Sequence, residues 1–284
     1  MRKAFFRAVT IAVYALAGVL GGNSAALAQA TGAKGPDILG LRTGMTPQEV
    51  YAKLKEIDPT HRVTVGQVLI PPILGKQPVV YGMSPESLSN GSELLAVAIS
   101  MPPNPQQVWS VYRAISGTIH TTLEQIVDSL RQKYGHESTV VSPQLNPRLI
   151  WVYDEQGQLA SPPLAAAKLH DCGNAFNPVS IGQLPPPAGP PQPGVLPDAV
   201  AIVNPFTITQ YQDPTKNLPC QGWVLVDAYI VGDMQNGFSL NTTITNANIE
   251  KRAALALSKA LNAIAAKQQQ QQLDKAHQQS VPVL

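Results

Sequence analysis

One short device occurs twice and does most to restrict the fold. Thr46-Pro47-Gln48-Glu49 is a capping box with proline at the first helical position, and Thr122-Leu123-Glu124-Gln125 repeats the box 76 residues later. In each, the threonine hydroxyl can accept from the amide three residues on, and the Glu or Gln can reach back to the threonine amide. Val50, Leu54 and Ile57 follow the first box at i, i+4 and i+7, and Ile126 and Leu130 hold the matching places after the second. Asp58-Pro59 stops the first helix, and Tyr134-Gly135 stops the second with a glycine suited to a left-handed cap.

Segments with β-type patterning follow both helices. Val63–Ile70, Val79–Tyr81, Leu94–Met101 and Val108–Ile115 come after the first, and Ser138–Val141 and Leu149–Tyr153 after the second. The fold class this predicts is α+β, an antiparallel sheet with a few packed helices. Two tandem helix-then-sheet units, 38–115 and 116–160, are one reading of it. Further on, Ala199–Val203 reads as a short strand and Trp223–Val231 as a longer one. In the latter Val224, Val226, Ala228 and Ile230 make an apolar face, while Trp223, Leu225, Asp227, Tyr229 and Val231 make a mixed one. Asn236-Gly237 predicts a hairpin into a strand at Phe238–Ile244. Asn246–Lys267 predicts the longest helix, with a stripe of Ile249, Ala253, Leu257, Leu261 and Ile264 and with Glu250 suited to its first turn. The domain is expected to span 38–267, with a Gln-rich tail at 268–284 that extends or frays from the helix.

The N-terminus carries an address. Arg2, Lys3 and Arg7 precede an uncharged apolar run, Ala8–Leu20, and a small polar stretch ending Ala26-Leu27-Ala28. That order predicts a secretory signal peptide, 1–28, cut after Ala28, with Ala28-Gln29-Ala30 offering a second cut. The run of 13 residues falls short of the roughly 20 needed to cross a bilayer. No later run reaches that length, so no transmembrane segment is expected in the mature chain. The expected location is periplasmic or secreted. Residues 29–37, small, polar and glycine-rich, are expected to be a disordered lead-in. Three of the 20 basic side chains lie in the leader, which leaves the rest one short of the 18 acidic ones. That balance lacks the basic patch nucleic acid requires.

Cys172 and Cys220 are the two cysteines. In an oxidising compartment an even count predicts a disulfide, worth roughly 4 kcal/mol by the chain-entropy argument. The spacing is unlike a redox C-x-x-C, and free thiols are the other reading. Pro185–Pro197, with seven prolines in 13 residues, lies between them and predicts an extended, polyproline-like surface loop.

No pattern carries recognisable chemistry. The five histidines, His61, His120, His136, His170 and His277, show no i, i+4 pair and no H-E-x-x-H. G-x-S-x-G and phosphate-cradling loops are absent, so no cofactor or metal is expected. Asp227, in mid-strand, is the carboxylate that burial could adapt for acid–base work, although its mixed face favours a hydrogen-bonded strand residue. Trp109, Trp151 and Trp223 each fall in a strand candidate, Trp109 beside Val111 on one face and Trp151 beside Tyr153 on another. They read as core packing or as an aromatic surface for peptide, glycan or lipid.

Ile38-Leu39-Gly40-Leu41 running into Gly44-Met45-Thr46, with Glu49-Val50 beyond, resembles the G-M-[ST]-x-x-x-V helix start of the BamE/SmpA and beta-lactamase-inhibitor-protein-like fold. Together with Lys133-Tyr134-Gly135 it is also similar to a family of exported proteobacterial proteins. The resemblance covers Ile38–Tyr153 and more loosely Cys220–Leu261. It implies helices packed on an antiparallel sheet, a unit some members carry twice, and a protein-binding scaffold. The chain has no lipobox cysteine and is longer than the assembly lipoprotein, so that role does not carry over. The reading at this point is a non-enzymatic scaffold whose partner is an unknown envelope protein. A binder of a small envelope ligand is the second reading, and an enzyme assembled from distant residues the third.

Overall fold

A computed structural model describes residues 35–60, 62–69, 78–85, 92–141, 146–165, 199–204, 223–233 and 235–279. The elements are α1 (Pro47–Ile57), β1 (Val63–Leu69), β2 (Pro78–Pro85), β3 (Glu93–Ile99) and β4 (Val108–Ile119). Then come α2 (Leu123–Tyr134), β5 (Thr139–Val141), β6 (Arg148–Asp154) and β7 (Ala199–Asn204). The chain finishes with β8 (Trp223–Asp233), β9 (Gly237–Asn246) and α3 (Ala247–Gln279). The class is α+β. The strands form one sheet in the order β5-β6-β8-β9-β4-β3-β2-β1-β7. Every neighbouring pair is antiparallel except β1–β7, where Val63 pairs with Ala199 in parallel.

Both capping boxes close as the spacing requires. Glu49 N donates to Thr46 Oγ1 at 3.3 Å while Thr46 N donates to Glu49 Oε2 at 2.8 Å. Gln125 N donates to Thr122 Oγ1 at 3.2 Å, and Thr122 N to Gln125 Oε1 at 3.1 Å. The Thr46 bonds hold the exposed Glu49 carboxyl below its usual range. Gly135 takes φ 82°, outside the range of ordinary residues, and its N–H returns to Arg131 O at 2.8 Å.

One face of the sheet carries α1, α2 and a strap, Ile38–Met45. Val50 and Leu54 of α1 and Ile126, Leu130 and Tyr134 of α2 share a core with Val65, Met83, Leu95, Val111, Trp151, Val226 and Ile244. Burying each large side chain contributes about 1.5–3 kcal/mol. The strap adds Ile38 and Leu41 to this core and is pinned at its far end, where Gly44 N donates to Val108 O and Val108 N to Met45 O, each at 2.8 Å. Its near end is held through Asp37, the last residue of the segment expected to be disordered, whose residues 29–34 lie outside the described ones. The Asp37 carbonyl accepts from Tyr134 Oη at 2.9 Å, and its carboxylate accepts from Gly40 N at 2.8 Å.

The other face is crossed by α3, whose Leu257 and Leu261 pack with Val79, Tyr81 and Met101. The helix does not stop at Lys267 but runs through the glutamines to Gln279, with residues 265–277 exposed. Ala, Gln and Lys are good helix formers, so a helix nucleated on the sheet propagates outward at little cost. Among the described residues no helix is long and apolar enough to cross a membrane. The expected leader with Ala28, both cysteines and the proline-rich segment lie outside the described residues.

Candidate functional site

Strand β8 alternates as its sequence demands. Val224, Val226, Ala228 and Ile230 are buried in the core under the helices, which turns Trp223, Leu225, Asp227, Tyr229 and Val231 to the opposite face. Neighbouring strands extend that face through their register. Val141 pairs with Arg148, Arg148 with Tyr229, Tyr229 with Asn241, and Asn241 with Ala114. The result is a cross-strand row in which Val141 is 46% exposed and Tyr229 39%. Asn241 Oδ1 accepts from Tyr112 Oη at 3.3 Å, which ties the row to β4. One row along, Ile150, Asp227 and Thr243 stand side by side.

Asp227 is joined to Arg148. The guanidinium Nε lies 2.9 Å from each carboxylate oxygen, and Nη2 donates to Oδ2 as well. The Arg148 side chain is 39% exposed and that of Asp227 16%, so the pair is partly withdrawn from water. The bond to Asp227 raises the guanidinium above its ordinary value and keeps it charged. A carboxylate whose two oxygens both face a guanidinium serves charge pairing and orientation of the arginine.

The three tryptophans are not brought together. Trp151 is wholly buried on the helix-covered face, its ring 5.4 Å from that of Tyr134 and its indole N–H donating to Gly135 O at 2.9 Å. Tyr153 Oη donates to Tyr134 O at 2.5 Å on the same side, and burial pushes both phenols well above their ordinary value. Trp223 is half-buried on the opposite face, at the start of β8. Trp109 is half-buried where β3 and β4 shift register, with Ala98 opposite Ser110 and Ile99 opposite Val108.

An ion pair and the burial of Glu250 escaped the sequence reading. Arg113 Nε donates to Glu93 Oε1 at 2.7 Å across β4 and β3, a half-buried ion pair on the helix-covered face. Cross-strand position carries that signal, and it is unreadable until the strands are paired. Glu250 is half-buried in the first turn of α3, and burial pushes its carboxyl up to about 7. The signal was present, since position 250 lies on the stripe of Ala254, Leu257 and Leu261. Among the described residues no three His, Cys, Asp or Glu side chains gather closely enough to hold a metal ion.

Comparison with protein-family models, curated proteins and solved structures gave no match.

Proposed function

We propose that this chain is an exported scaffold that binds another protein of the cell envelope through the row Val141–Arg148–Tyr229–Asn241. The observation that carries the reading is that row. It presents a tyrosine, an arginine and a valine to solvent on the adjacent strands β8, β6 and β5, and tyrosine and arginine are enriched where proteins meet. The basic, apolar and Ala-x-Ala order of residues 1–28 supports an extracytoplasmic location, and with it a Cys172–Cys220 disulfide.

The strand order supports a duplicated unit. The first copy would be α1-β1-β2-β3-β4 and the second α2-β5-β6-β8-β9, each placing four strands side by side in chain order, with β4 meeting β9 at the seam. The second copy would then run well past residue 160. This organisation bears on architecture rather than activity. The reading as a binder of a small ligand among the tryptophans draws less support, because Trp151 and Trp223 lie on opposite faces of the sheet.

The test is site-specific photocrosslinking in the envelope. A photoreactive residue at Tyr229 is expected to give a discrete protein adduct, and one at the exposed Leu273 none. Equal labelling at both positions, or none at Tyr229, overturns the proposal. Intact mass of the same material is expected to show a chain beginning at Gln29 or Thr31 with both sulfurs oxidised.

A further inference from the structure

The residues by which α3 meets the sheet are Ile249, Ala253, Ala254 and Leu257, all buried, and the half-buried Leu261. Glu250 stands four, seven and eleven residues before Ala254, Leu257 and Leu261. It therefore shares the face that the helix turns toward the strands. Its carboxyl is half-buried, and no hydrogen bond or ion pair reaches it among the described residues.

The charges around α3 do not compensate it. Across β8 the titratable groups on this face are Asp227, already engaged by Arg148, and Tyr229. Across β4 the group is Tyr112, and at the Val79–Met101 contact it is Tyr81. On α3 itself Lys251 has another interaction, and Arg252 Nε is turned back to Asn248 O at 3.3 Å. The remaining neighbour, Glu155, accepts from Asn248 Nδ2. A carboxyl at a helix N-terminus is ordinarily favoured in its charged form. Here desolvation acts in the opposite sense and is the only cause of the shift.

We infer that Glu250 is a proton-controlled latch, holding the first turns of α3 on the sheet when it carries a proton and weakening that docking when it does not. This is independent of any partner at the Tyr229 row. The latch works through linkage. Burial pushes the docked carboxyl up to about 7, whereas the same group exposed to water ionises near the ordinary 4.5. Docking is thus firmest below pH 4.5, weakens as pH rises toward 7 and levels off above it. Over that interval the opening constant of α3 rises on the order of a hundredfold, which makes the apolar patch of Val79, Tyr81 and Met101 intermittently accessible.

Hydrogen exchange of amides 253–261 in the full mature chain, corrected for intrinsic exchange, reads this opening from pH 4.5 to 8. The expected result is a rise on the order of a hundredfold that flattens above pH 7, and no rise in Glu250→Gln. Carbon-13 titration of the Glu250 carboxyl in the unmodified protein gives a second measurement that needs no variant, with a midpoint near 7 expected. A midpoint near 4.5, or an undiminished pH slope in E250Q, overturns the latch.

Discussion

Asp227 began as the residue whose position in mid-strand invited a catalytic role. Alternation along β8 correctly turned it away from Val226 and Ala228, because a period of two is a local property of the chain. Its partner could not be read the same way, since Arg148 lies 79 residues earlier and meets it only once β6 pairs with β8. The arginine end of the pair stays open to water, so its contribution is modest. Asp227→Ala is expected to cost about 1 kcal/mol in urea unfolding. Arg148→Ala should cost a similar amount, and the double variant less than the two together, because each single change strands the other charge. Additive losses would mean that the two side chains do not interact in solution. Trp151 offers the same lesson. Its strand and its shared face with Tyr153 were legible, while the Gly135 carbonyl that accepts its indole N–H belongs to the end of α2.

Elements whose specification is local were the easiest to anticipate. The two capping boxes, the glycine at 135 and the Asn236-Gly237 turn all depend on residues within four positions of one another. Asp233 Oδ1 accepts from Gln235 N and Asn236 N, each at 2.8 Å, and Gly237 takes φ 82° at the head of β9. The parallel addition of β7 to β1 was not legible, for Ala199–Asn204 reads as a strand without revealing which edge will take it. The far end of α3 was legible only as a pair of alternatives, extension or fraying from the helix. A glutamine-rich segment looks like a solvated tail when considered alone, but here it continues a helix already nucleated on the sheet, so only the small propagation term remains. Ending the chain after Lys267 is therefore expected to lower the helical far-UV signal while leaving the thermal midpoint within about 2 °C. A larger fall would show that the projecting turns are packed against something.

At the scale of the molecule, the seam between β4 and β9 decides how the sheet is put together. Ser110 pairs with Thr245 across it, and their hydroxyls lie 3.2 Å apart in the interior. Nothing in either segment announces this partnership, because its ends are separated by the whole of α2, β5, β6, β7 and β8. If the seam joins two copies of one unit, it should behave as an interface. Fragments ending at His120 and starting at Thr121, each carrying residues 1–28 at its N-terminus and expressed together, are expected to co-purify as one folded species. Either fragment alone is expected to aggregate through an unpaired β4 or β9 edge. Two separately soluble, non-associating halves would refute that view.

The strap has a consequence for biogenesis. Ile38 and Leu41 are made well before the groups that receive this segment, at Val108 and Tyr134. For all of that interval these two greasy side chains have no berth. The strap therefore docks late, once β4 and α2 have formed the floor on which it lies.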